Sequence, residues 1–118
     1  MKIKTSEMSG VVLDWAVTTI EEPEALRYGV GDWREQRRSG RGEYPHRYHQ
    51  NWNQGGPIIE REGVLFTRTN DPGRGEMYHA WIVRLNASAA GPTHLTAAMR
   101  CFVASRLGDE VDVPEELI

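Results

Sequence analysis

The run Asn51-Trp52-Asn53-Gln54-Gly55-Gly56-Pro57-Ile58-Ile59-Glu60-Arg61-Glu62-Gly63 sets an aromatic ring, side-chain amides and a Gly-Gly step just ahead of a short apolar pair. Residues without a Cβ let backbone approach a ligand closely. Trp52 suits stacking on a planar ring, Gln54 reading of a ring edge, and Gly55 and Gly56 backbone contact with a phosphate or carbonyl. Stacking of a base on an aromatic side chain is worth about 1–3 kcal/mol. Arg61 or Arg100 would supply charge, and charge-assisted bonds to an anion add direction as well as energy. Asp14 and Trp15 repeat the pairing of a polar group with an aromatic. The same residues also suit a plain turn, with the tryptophans in core packing.

Other chemistry finds less support. His46 and His49 are three apart, with His79 and His94 elsewhere, but a zinc site needs a tetrahedral set of imidazoles or thiolates and the chain has one cysteine. That residue, Cys101, sits beside Phe102 in an apolar helical pattern and reads as a buried, reduced thiol. The pairs Gly29/Gly31, Gly40/Gly42 and Gly73/Gly75 lack the strand-before and helix-after context of a phosphate loop, and none carries the lysine of a nucleotide-binding P-loop. No serine elbow and no His-Glu metal helix occurs. The sequence therefore favours a binding protein over an enzyme, with no cofactor and no metal.

At 118 residues the chain is one domain, long enough to bury a core without disulfide help. With no apolar run of membrane-span length and no leader pattern, it reads as soluble and cytoplasmic. The net charge of −3 argues against a dedicated nucleic-acid binder, but the charge is uneven. Of 17 acidic residues, five lie between Gly108 and Ile118, which leaves 12 against the 14 lysines and arginines of the chain. Arg34, Arg37, Arg38, Arg41 and Arg47 form a basic stretch suited to phosphate contact or to a solvated loop.

The elements that must position these residues follow from periodicity. Alternation around Ile3 predicts a short edge strand over 1–5. Met8, Val12, Trp15, Ala16 and Ile20 recur at three- and four-residue steps, predicting a helix capped by Ser6 or Ser9 and ended before Pro23. Residues 24–50 show no sustained period and read as a long Arg- and Gly-rich loop or insertion. Strands are predicted over 58–61, 64–69 and 77–85, joined in an antiparallel meander through the turn residues Asn70-Asp71-Pro72-Gly73. The last of these strands carries apolar residues on both faces and should be central, with Trp81 in the core. Residues 86–91 read as a small-residue loop. Thr93 then caps a helix carrying Leu95, Ala98, Met99, Phe102, Val103 and Leu107 on one face, stopped by Gly108. A short strand at Val111 and Val113 precedes the acidic tail.

Several blocks together resemble a known family. They are Met1-Lys2-Ile3-Lys4-Thr5-Ser6-Glu7, Leu13-Asp14-Trp15-Ala16-Val17, the Trp52 to Glu62 run, and Gly91-Pro92-Thr93 followed by Ala97-Ala98-Met99-Arg100-Cys101-Phe102. In that order they are similar to the NinX-type proteins of lambdoid and related enterobacterial phages and prophages. The stretch 24–50 departs from the family pattern by being longer and more basic. The resemblance implies a phage accessory protein working in the host bacterial cytoplasm, and it supplies no catalytic residues.

The combined expectation is an α+β domain with a small, mainly antiparallel sheet of three to four strands and two helices packed on one face. Its function would be non-enzymatic binding of a small anionic, nucleotide-like ligand, as a homo-oligomer that sequesters a host defence signal. The ligand-binding residues would be Asp14, Trp15, Trp52, Gln54, Gly55, Gly56, Arg61 and Arg100. Alternatives are inhibition of a host protein through protein–protein contact, or hydrolysis of a nucleotide signal.

Overall fold

A computed structural model describes residues 1–26, 33 and 46–118. Its elements are β1 (Lys2–Lys4), α1 (Gly10–Glu21), α2 (Trp52–Glu62), β2 (Leu65–Asp71), β3 (Gly75–Ile82), β4 (Ala87–Gly91), α3 (His94–Leu107) and β5 (Glu110–Asp112). The fold is α+β, as the periodicities predict. The expected long loop over 24–50 lies mostly outside the described residues, as do Arg34, Arg37, Arg38 and Arg41.

Strands β2, β3 and β4 form one antiparallel sheet with β3 in the centre. The two termini form a second, since β1 pairs with β5 in the register Lys2↔Asp112, Ile3↔Val111 and Lys4↔Glu110. The terminal ammonium of Met1 closes this small sheet on Asp112 Oδ1 at 2.8 Å. Helix α3 is the axis of the core: Ala97, Ala98, Met99, Cys101, Phe102 and Val103 are all fully buried. It lies on β3 and β4 and is flanked by α1 and α2. Thr93 caps it by accepting the Thr96 backbone N–H at 3.1 Å, so the predicted start holds. Cys101 is buried, and burial, only partly offset by a hydrogen bond from the Ile82 backbone, pushes its thiol up to about 11.

Three predictions are corrected. The segment 52–62 is a helix, not a loop leading into a strand at 58–61. Asn51 caps it by accepting the Asn53 N–H at 2.9 Å. Gly63 ends it at φ 67°. Its N–H and that of Val64 reach back to Glu60 and Ile59 carbonyls at 3.3 and 3.1 Å, satisfying the last turn. Tertiary packing of Gly55, Ile58 and Glu62 against the core overrides the poor helix propensity of Gly-Gly-Pro. Second, 86–91 is not a loop, because Ala87–Gly91 pairs with β3 along Tyr78↔Gly91 to Ile82↔Ala87. Its small residues let α3 pack directly on the strand, with no room for a Cβ at Gly91. Third, Trp81 is 41% exposed rather than in the core. It sits across from Leu65 on the open face of the sheet.

Candidate aromatic cleft at the start of two helices

Helices α2 and α3 both begin at one cleft of about 390 Å³, lined by His49, Gln50, Trp52, Tyr78, Pro92, Thr93, His94 and Leu95. A cleft of that size suits a small organic ligand. Trp52, the first residue of α2, is 56% exposed. An indole left that open presents a stacking face to solvent. Its six-membered ring lies against Gly56, where an added Cβ would sit 3.7 Å from Trp52 Cε3. His94, the first residue of α3, joins the aromatic groups into a cluster. Its ring centroid lies 4.0 Å from that of Tyr78, 5.0 Å from Phe66 and 6.4 Å from Trp52.

Behind the cleft, Asp14 holds His49. The Asp14 side chain is fully buried on α1, and its Oδ1 accepts the His49 backbone N–H at 3.0 Å while Oδ2 lies 2.7 Å from His49 Nδ1. A buried carboxylate needs such partners to offset its desolvation. The adjacent Tyr48 donates its hydroxyl to Glu22 at 3.0 Å. Burial, reinforced by that hydrogen bond, pushes its phenol well above the ordinary range. His46 Nδ1 meets the same Glu22 oxygen at 2.8 Å, and its ring stacks between Trp33 and Tyr48. These ties pin the segment 46–50 to α1.

The eight predicted residues fall into three places. Trp52 lines the cleft, and Asp14 stands directly behind it through His49. Gln54 Oε1 accepts the Arg47 backbone N–H, while Gly55 packs so tightly that a Cβ would meet Tyr48 O and Leu95 Cδ2 at 2.6 Å each. Gly56 supports the Trp52 ring, and Trp15 is half-buried against the core. Arg100 is a structural tie: Nε donates to the Met8 carbonyl at 2.6 Å and Nη1 to the Ala90 carbonyl at 2.8 Å. Burial pulls its guanidinium below its ordinary value.

Arg61 belongs to a different groove, of about 440 Å³, on the far end of α2. It bonds Glu21 through two nitrogens and Glu62 through Nε at 2.9 Å. Glu62, itself buried, also accepts Arg84 at 3.0 Å and Arg106 at 2.8 Å. Burial alone would raise its carboxyl, but the bonds from Arg61, Arg106 and Arg84 prevail and hold it down at about 2. Arg61 and Arg106 both approach the Phe102 ring, at 5.6 and 5.3 Å from its centroid.

Of the eight lining residues the sequence singles out only Trp52 for binding; the aromatic side chains it does not are His49, Tyr78 and His94. One signal was present. Asp14 falls between the buried Val11 and Thr18 on the inner face of α1, and an acid on an inward face requires a buried partner. Among the described residues no group of three or more His, Cys, Asp or Glu side chains is placed to hold a metal ion. No helix among them is long and apolar enough to cross a membrane.

The fold and cleft define a small α+β protein with an open aromatic site. The chain belongs to the phage family described as Bacteriophage P22, NinX, whose model matches residues 4–106. It is thus a phage accessory protein. A comparison with curated proteins found no match.

Proposed function

We propose that this protein binds a small anionic, nucleotide-like ligand in the Trp52 cleft without turning it over. The observation that carries this reading is the open Trp52 ring beside His94, Tyr78 and His49 in one cleft of about 390 Å³. A planar base stacks on Trp52. Negative charge is favoured there because α2 and α3 both start at the cleft, and helix starts carry positive partial charge. Gly55, Gly56 and Gln54 act as the frame that sets the Trp52 ring, and Asp14 acts through His49. In a phage accessory protein, such binding would sequester a host nucleotide signal in the bacterial cytoplasm, with a homo-oligomer multiplying the sites.

A second reading, inhibition of a host protein by direct contact, draws on one feature. Leu65, Trp81 and Val83 are exposed apolar side chains, Leu65 lying across from Trp81 in the sheet and sharing a groove with Val83. Native mass spectrometry of protein purified from infected cells separates the two. A retained small molecule supports the binder, whereas a co-purifying host protein with an empty cleft supports the second reading.

A further inference from the structure

We infer that His49, held by Asp14, is the group that takes the phosphate of the ligand, so that binding at the cleft selects phosphorylated over unphosphorylated nucleosides. This rests on the stacking role of Trp52 proposed above. The guanidiniums of the two arginines suggested by the sequence bond protein groups elsewhere: Arg100 on two backbone carbonyls, Arg61 on Glu21 and Glu62. His49 instead lines the cleft beside Trp52.

The geometry assigns a role to each ring nitrogen. Nδ1 faces Asp14 Oδ2 at 2.7 Å, which fixes the ring and makes Nδ1 the donor to the buried carboxylate. Nε2 is the remaining nitrogen; among the described residues no bond to it occurs and no buried side-chain nitrogen or oxygen lacks a partner, so Nε2 of the 18% exposed His49 side chain reaches solvent at the cleft. A second proton on Nε2 gives an imidazolium that donates to an anionic oxygen while Asp14 balances its charge. The backbone N–H of His49, bound to Asp14 Oδ1 at 3.0 Å, stops the ring from swinging away. Among the described residues the titratable groups that touch His49 or share its cleft are Asp14 from α1, His94 from α3 and Tyr78 from β3. Glu22 is engaged one residue away with Tyr48 and His46. Among the described residues the lining of the cleft holds no carboxylate, and the one carboxylate beside His49, that of Asp14, is engaged with its Nδ1 and backbone N–H.

The test uses 3′,5′-cyclic AMP, which carries one phosphodiester charge, against adenosine, by calorimetry. The expected result is a preference of about tenfold or more for cyclic AMP. His49→Gln should remove the preference and leave adenosine binding in place. Equal affinities for the two probes, or a preference that survives in His49→Gln, overturns the assignment while leaving the stacking cleft standing. Binding of neither probe overturns the assignment, and the stacking cleft then stands or falls on the wider ligand panel. Ring-nitrogen NMR of the unaltered chain decides the matter even if His49→Gln does not fold: the His49 Nε2 signal should move with cyclic AMP and stay in place with adenosine, and a signal that cyclic AMP leaves unmoved overturns the assignment.

Discussion

Asp14 and His49, 35 positions apart, share two hydrogen bonds, one to the ring at 2.7 Å and one to the backbone at 3.0 Å. A carboxylate with no solvent exposure thereby anchors the segment that leads into the cleft. Removing it with Asp14→Ala leaves a cavity and frees two donors, and should cost about 2–4 kcal/mol in urea unfolding. The His49 ring should also become mobile, with its NMR signals broadened or shifted. A stability within about 0.5 kcal/mol of the parent would show that the pair is not a structural tie.

Adjacent glycines should respond in opposite ways. Gly55→Ala puts a methyl 2.6 Å from the Tyr48 carbonyl oxygen, a backbone atom that cannot step aside, and should destabilise the chain by about 1–3 kcal/mol. Gly56→Ala meets only Trp52 Cε3 at 3.7 Å, ordinary contact, and should be neutral or stabilising by up to about 1 kcal/mol through helix propensity. Thermal melts of the two variants provide the comparison, and equal shifts would contradict the packing described for α2.

Glu62 should make stability depend on acid. Its carboxyl is held at about 2 in the folded chain against an ordinary 4.5, so the folded state binds the proton more weakly than the unfolded one. Stability from this group is complete above the ordinary value and is lost as pH falls from there through about 2. Replacing it with glutamine should cost about 2–3 kcal/mol at neutral pH, since the three arginines keep part of their hydration. The difference between parent and Glu62→Gln should narrow as the solution is acidified. A gap that stays constant down to about pH 2 would mean the cluster is not charge-based.

Cys101 offers a kinetic check on the core. With no exposed surface and a thiol pushed up to about 11, it should resist an aromatic disulfide reagent at about pH 8 and react only as fast as the chain unfolds. Rapid labelling of the folded protein would contradict the position of α3 at the centre.

The parts of the fold that the sequence makes legible are those where local pattern and burial agree. Helix α1 falls where its apolar spacing places it but buries Leu13, Ala16 and Val17, with Val12, Trp15 and Ile20 only partly covered; α3 buries the predicted Leu95, Ala98, Met99, Phe102 and Val103 and leaves Leu107 exposed, and Thr93 and Gly108 mark its ends as their chemistry predicts. The β2–β3 hairpin follows from its turn residues. Helix α2 is not legible, because Gly-Gly-Pro-Ile-Ile has strand and turn character locally and its helix is set by the Asn51 cap and the burial of Gly55, Ile58 and Glu62 against the core. Strand β4 was hidden for a related reason: small residues that let α3 approach look like a loop when the helix is out of view.

For the candidate site, the sequence marks Trp52, which is exposed at a helix start, and Asp14, whose partner His49 stands out in the sequence only by its spacing from His46. Arg61 and Arg100 stood out as charges, and a sequence does not reveal which charges meet Glu62 or a backbone carbonyl. Long-range pairing, not residue type, decides that.

The most direct test of the central claim is calorimetric titration of the protein and of Trp52→Ala with a panel of cyclic dinucleotides and ADP-ribose derivatives. The account predicts that at least one ligand binds the parent, and that Trp52→Ala weakens it at least tenfold while melting within a few degrees of the parent, as befits a side chain 56% exposed. Absence of binding across the panel, or binding unchanged in Trp52→Ala, would contradict it.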